Sequence, residues 1–226
     1  MKEKLVLLHG ALGSASQMET IATCFNEFDI IIPDLPGHGT RSDENDFSIH
    51  AFAEDVIKKI KDLNDVHVFG YSMGGYVALY MAIHQPGLLR SVITLGTRLQ
   101  WDPLVAENEC RMLDPATVKE KVPAFAEELQ KRHGNWEKVM KETAGLLRSI
   151  GNSNPVRNAD YDNISIPVLL MLGDRDKMVT LDETIAAQQA IKGSSLSVLP
   201  GTPHPFEKTD PEMVAFMIKR FISGSR

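Results

Sequence analysis

The chain has 226 residues, a hydrophobic fraction of 43% and a formal net charge of −6. That length suits one α/β domain, residues 1–226, better than two ordinary ones. An acidic chain with no clustered basic face excludes nucleic acid as an expected partner, and apolar runs of only strand length exclude a membrane-spanning helix.

Met1-Lys2-Glu3-Lys4 enters directly into Leu5-Val6-Leu7-Leu8, a run too short for a signal peptide. Cys24 and Cys110 are the only cysteines and read as reduced small hydrophobes. A cytoplasmic location is expected. No metal site or dinucleotide fingerprint stands out, so no cofactor is implied.

Strand-like and helical patterns alternate along the chain. A first strand is expected at Leu5–Leu8, then a helix over Ser16–Asn26 and a second strand at Asp29–Ile32. Phe47–Leu63 reads as a helix, with Phe52, Val56, Ile57, Ile60 and Leu63 at helical spacing. A third strand, Val66–Phe69, runs into Gly70-Tyr71-Ser72-Met73-Gly74-Gly75. The following helix extends to about Gln85, stopped by Pro86-Gly87. Ser91–Leu95, Val168–Leu172 and Leu196–Leu199 supply strands four to six, with helices over Leu181–Ile191 and Glu212–Ile222. Continuous apolar strands separated by helices predict a mostly parallel sheet covered on both faces.

The fourth and fifth strands are separated by residues 96–167, far more than an ordinary connection. Trp136, Val139, Met140, Thr143, Leu146, Leu147 and Ile150 fall on one helical face. Val118, Val122, Phe125, Ala126 and Leu129 nearly do the same, with Pro123 placed to start a helix. Residues 98–160 are therefore read as a helical lid over the C-terminal edge of the sheet, where ligands of open α/β sheets bind. A helical subdomain with no role at the site is the alternative.

Strand, G-x-S-x-G, helix is the form of a nucleophile elbow. Ser72 must then sit on a turn so sharp that Gly70 and Gly74 have no room for side chains. A serine hydroxyl needs a base, ordinarily a histidine oriented by a carboxylate. Of the seven histidines only His204 follows the fifth strand, in the loop Pro200-Gly201-Thr202-Pro203-His204-Pro205. The acid is sought in Gly173-Asp174-Arg175-Asp176. Asp176 is favoured because enough loop precedes it to turn towards a histidine, whereas Asp174 suits loop amides or Arg175. Negative charge on an attacked carbonyl oxygen needs two aligned amides. Met73, after the nucleophile, and Ala11, in His9-Gly10-Ala11-Leu12-Gly13-Ser14, are expected to supply them.

On these residues the chain resembles the α/β-hydrolase superfamily over essentially its whole length. The matching stretches are His9-Gly10 with Gly13-Ser14, Pro33-Asp34-Leu35-Pro36-Gly37-His38-Gly39, Gly70-Tyr71-Ser72-Met73-Gly74-Gly75, Gly173-x-x-Asp176 and His204. The resemblance implies a compact six-stranded sheet in the order 2-1-3-4-5-6, lacking the hairpin that precedes the His-Gly strand in many members. It gives His38 a structural role, packed beside the Ala11 loop.

The expected activity is cofactor-free hydrolysis of a carboxylic ester or thioester of a small substrate through an acyl-enzyme. There is also similarity to the small menaquinone-pathway synthase branch, which places an arginine where this chain has Tyr76. Lyase chemistry or C–C bond hydrolysis with the same triad, and a non-catalytic binding protein, are the competing readings. Tyr76, Arg98 and Trp101 are candidate substrate contacts, Arg98 being either an anion anchor or a solvated surface charge. A small-molecule acyl substrate and no membrane partner are expected; the acyl group and oligomeric state are not specified by any motif.

Overall fold

The computed structural model describes residues 2–85 and 87–224. One parallel sheet contains β1 (Lys4–Leu8), β2 (Asp29–Ile31), β3 (Val66–Tyr71), β4 (Ser91–Leu95), β5 (Val168–Gly173) and β6 (Ser195–Leu199). Their spatial order is β2-β1-β3-β4-β5-β6, the expected one. The register pairs Val6 with Val68, Val68 with Val92 and Ile93 with Leu169.

Side chains alternate across the strands, so the sheet has a core on each face. Val6, Leu8, Val66, Val68 and Val92 face one side, under α2 (Ile49–Ile60) and α3 (Met73–His84). Leu5, Leu7, Phe69, Ile93 and Met171 face the other, against α1 (Ala15–Ala22) and α9 (Pro211–Gly224). α3 is apolar around its whole circumference and correspondingly buried. β6 is an edge strand and is less buried than the central strands.

Two element boundaries differ from expectation for clear local reasons. α1 stops at Ala22 rather than Asn26 because Cys24 and Phe25 turn back through bonds to Ile21 and Ala22. Phe25 and Phe28 are buried there as an edge-to-face pair, which mimics helical spacing. α2 starts at Ile49, where Ser48 accepts the Ala51 amide as an N-cap. Phe47 lies before the helix and stacks on His38. The expected Pro86 stop lies outside the described residues, while Gly87 beside it has φ +92°.

Between β4 and β5 the chain forms α4 (Pro103–Cys110), α5 (Pro115–Lys121), α6 (Pro123–Arg132) and α7 (Trp136–Asn152). α4, α5 and α6 each carry proline in the first turn, and Asp102 and Asp114 cap the first two of these. α6 starts at Pro123 as expected, and the stripe over Val118–Leu129 is divided between α5 and α6 at Val122, which is exposed. Val118 and Leu129 instead join Trp136 and Met140 in a small separate core. Leu146 and Ile150 belong to the main core. α4 lies along α7, with Gly151 against Ala106 and the Asp102 carbonyl. α8 (Leu181–Ala190) connects β5 to β6.

Four histidines are buried: His9, His38, His67 and His133. His9 Nδ1–H donates to Gly10 O (2.8 Å), and its Nε2 accepts the Leu35 amide (3.2 Å). His38 donates to Pro36 O (3.1 Å), and His67 shares a 2.7 Å hydrogen bond with Ser91. Burial pushes all four imidazoles below their ordinary pKa, His9 to about 4. Between that value and about 6.5 the unfolded chain binds more protons than the folded one, so stability present above 6.5 is lost as pH falls. His9 alone accounts for about 3 kcal/mol by pH 4. Denaturant unfolding at pH 7, 6, 5 and 4.5 is expected to show a progressive loss of several kcal/mol. A stability independent of pH across this range would contradict neutral burial.

Candidate functional site

The site is built on the turn from β3 into α3. Ser72 has φ 51° and ψ −115°, a left-handed-side conformation that a residue with a side chain adopts only under constraint. Its amide donates to Leu95 O at the end of β4 (2.8 Å), and its carbonyl accepts from Thr97 Oγ1 (3.0 Å) and the Gly75 amide (3.1 Å). A Cβ at Gly70 would overlap the Gly74 carbonyl, and one at Gly74 would overlap the carbonyls of Leu8 and His9. The glycine spacing thus lets β1, β3 and α3 close on one another beneath the serine.

Asp176 and His204 arrive from the loops after β5 and β6. His204 Nδ1–H donates to Asp176 Oδ2 (2.7 Å). Asp176 Oδ1 accepts the amides of Met178 (2.8 Å) and Val179 (2.9 Å). Burial pushes the Asp176 carboxyl up, but the hydrogen bonds from His204 and Val179 outweigh it and hold it below its ordinary value. Gly96, with φ +60°, brings the end of β4 against the pair: a Cβ there would lie 3.2 Å from Asp176 Oδ2 and 3.3 Å from His204 Nδ1. Asp174 faces elsewhere and accepts the Thr202 amide (3.1 Å), so it steadies the histidine's loop. Tyr71 does the same from below, donating to His204 O (2.9 Å).

Ser72 and His204 line one pocket together with Ala11 and Met73. Among the described residues, neither the Ala11 nor the Met73 amide is engaged by a protein acceptor. The loop carrying Ala11 is fixed by its neighbours: Gly13 N–H donates to Gly10 O (3.0 Å), closing a tight turn. Beside it, Asp34 accepts from the amides of Ala15 (2.7 Å) and Thr40 (3.0 Å). His38 is fully buried between His9 and Phe47, which fits the structural role implied for it.

The three candidate substrate contacts also line the pocket, each with a protein partner. Tyr76 is buried, and its hydroxyl donates to Asn154 Oδ1 in a short hydrogen bond. Trp101 donates from its indole to Arg98 O (3.1 Å). Arg98 is partly covered and ion-paired. Its Nη2 donates to Glu109 Oε1 of α4 (3.0 Å) and, at short range, to Met178 O, with the guanidinium 5.5 Å from the Trp101 ring. The remaining walls are apolar, including Ile49, Leu146, Leu147 and Ile150.

Several site residues had no signal in the elbow motif. Glu109 lies on α4, a helix the periodicity did not reveal. Buried Glu183 accepts the amides of Leu99 (2.9 Å) and Gln100 (3.2 Å), which fixes the chain between Arg98 and Trp101. Its sequence signature is the capping box Thr180-x-x-Glu183, which places that glutamate at the start of α8.

A profile of the α/β hydrolase family matches residues 5–215. A pimeloyl-[acyl-carrier protein] methyl ester esterase of Neisseria meningitidis is 25% identical over 213 residues, covering 84% of this chain and 82% of that protein. Among solved structures, NosK from Streptomyces actuosus superposes with a TM-score of 0.81 at 20% identity, covering 100% of this chain and 99% of that one. The enol-lactonase from Burkholderia xenovorans gives 0.77 at 16% identity, covering 99% and 92%. At these identities the structural likeness shows the fold, and the profile match shows the family. With the sheet order, the elbow and the Asp176–His204 pair in place, the chain belongs to the α/β hydrolase family and is an enzyme of the hydrolase class.

Proposed function

We propose that this hydrolase cleaves a carboxylic ester or thioester of a small, uncharged acyl group through an acyl-enzyme on Ser72. The observation that carries the proposal is that Ser72, on its strained turn, shares a pocket with His204 while His204 Nδ1 is committed to Asp176. That commitment leaves Nε2 as the nitrogen that takes the Ser72 proton as Oγ bonds the acyl carbon. The charge that develops on the carbonyl oxygen is received by the amides of Met73 and Ala11. Met73 stands at the N-terminus of α3, where the helix dipole also favours negative charge. The His204 proton then passes to the leaving alcohol or thiol as its bond breaks. Water, deprotonated by His204, releases the acid and restores Ser72. Asp176 orients the ring and stabilises the imidazolium.

The walls favour a compact acyl group. The cavity holds about 90 Å³, and away from Ser72 and His204 its lining is mostly apolar, with Arg98 and Glu109 neutralising each other. Among the described residues lining the pocket, the one lysine or arginine is Arg98, which Glu109 already pairs, and Tyr76 stands where the menaquinone-type branch carries an arginine. This disfavours the lyase reading. The ester chemistry named for the Neisseria relative supports the same class. In this reading α4–α7 serve as the lid, with Leu146 and Ile150 forming the acyl wall.

Two outcomes follow. Asp176→Asn is expected to lower kcat by several orders of magnitude, as loss of the orienting carboxylate does in triads, and Asp174→Asn by less than tenfold; steady-state kinetics decide, and the reverse ranking would reject the assignment. On p-nitrophenyl and thioester series of increasing chain length, turnover is expected for short acyl groups and lost in Ser72→Ala. Leu146→Ala should move the preference to longer chains. Elimination chemistry on a carboxylated cyclohexadiene with no turnover of any ester would reject the proposal.

A further inference from the structure

The loop that presents the Ala11 amide is held in place by the end of α6, a helix 120 residues away in sequence at the Leu12 contact. Gly10–Gly13 is a turn closed by the Gly13 N–H to Gly10 O bond, with Ala11 and Leu12 as its central residues. Leu12 has φ +57°. That position in a turn ordinarily takes glycine or asparagine, because a Cβ is strained there. The strain is offset from outside. Leu12 O accepts two side-chain hydrogen bonds, from Arg132 Nη1 (3.0 Å) and His133 Nε2 (2.9 Å). Its side chain packs against the small core of Val118, Leu129, Trp136 and Met140.

Both donors are themselves fixed. His133 is buried, and its Nδ1 accepts the Gly39 amide (2.8 Å), so the proton is on Nε2, facing Leu12 O. Arg132 Nη2 donates to Glu207 Oε1 (3.1 Å). The same oxygen accepts from Gln17 Nε2 (3.0 Å), whose Oε1 accepts the Gly10 amide (3.3 Å). Arg132 therefore grips the turn at both ends, directly at Leu12 and through Glu207 and Gln17 at Gly10. The Ala11 amide lies between these two anchors and, among the described residues, has no protein acceptor.

We propose that Arg132 and His133 are positioning residues for the oxyanion-binding amide of Ala11, so that docking of α6 against the loop completes the site. Without the two donors, Leu12 loses the contacts that hold its carbonyl, relaxes towards negative φ and carries the Ala11 amide out of line. The inference rests on the acyl-enzyme reading of the site.

The test compares ligands that do and do not form the oxyanion. A trifluoromethyl ketone accepts the Ser72 oxygen at its carbonyl carbon, the serine proton passes to His204, and the carbonyl oxygen becomes the anion. The matching secondary alcohol binds the pocket without that step. Arg132→Met and His133→Phe are each expected to lower kcat on a p-nitrophenyl ester roughly 10- to 100-fold, below the 10²–10³-fold cost of removing an oxyanion donor outright. Ketone affinity should fall by a similar factor, while KM and alcohol affinity stay within about threefold. Arg132→Lys, the milder change, keeps one donor and should recover part of the loss; it also serves if Arg132→Met does not fold by circular dichroism. Equal weakening of ketone and alcohol, or kcat unchanged in both variants, would overturn the proposal. A wild type that turns over no ester and does not prefer ketone to alcohol would instead defeat the underlying reading.

Discussion

The site depends on one backbone constraint, the φ of 51° at Ser72. A serine cannot hold that conformation alone. It is imposed by the β4 carbonyl of Leu95, the Thr97 hydroxyl and the first turn of α3. Those contacts require β3, α3 and β1 to approach within a distance that only glycine permits at positions 70 and 74. The parallel sheet follows from the same demand, because it brings the ends of β1, β3, β4, β5 and β6 to one edge. Every loop that contributes to the pocket leaves that edge.

Around the serine, polar groups are committed before any substrate arrives. Asp176 holds His204 and is held by the amides of Met178 and Val179. Met178 O in turn receives Arg98, which reaches Glu109 on α4. The helices between β4 and β5 are therefore wired to the acid's loop on one side and, through Arg132 and His133, to the Ala11 loop on the other. Preorganised donors of this kind need little rearrangement when charge develops, which is where most electrostatic stabilisation arises. Arg98 is thereby paired at the pocket wall, and the wall at Ile49, Leu146, Leu147 and Ile150 is apolar.

Much of the frame was legible in the sequence because it is encoded locally. Buried parallel strands are continuous apolar runs, and the elbow demands small residues at fixed spacing around Ser72. His204 could be singled out because chain order left one histidine after the fifth strand. Asp176 over Asp174 followed from loop reach, and the structure gives Asp174 the amide-binding role expected of it. What escaped was non-local. The start of α6 at Pro123 was readable from the proline, but the packing of Val118 and Leu129 against Trp136 and Met140 was not. α4 has no amphipathic pattern and was missed with its Glu109. The partners of Arg98, and the hold of Arg132 and His133 on Leu12, pair residues far apart in sequence, and no spacing rule reports such contacts.

The central claim is covalent chemistry at Ser72. It is tested most directly by mixing the protein with a short-chain p-nitrophenyl ester, quenching in acid within the first turnovers and measuring intact and peptide masses. The account predicts a mass increase equal to the acyl group, mapped to the peptide containing Ser72 and absent from Ser72→Ala. Ester turnover with no adduct at Ser72, or an adduct that persists in Ser72→Ala, would contradict it.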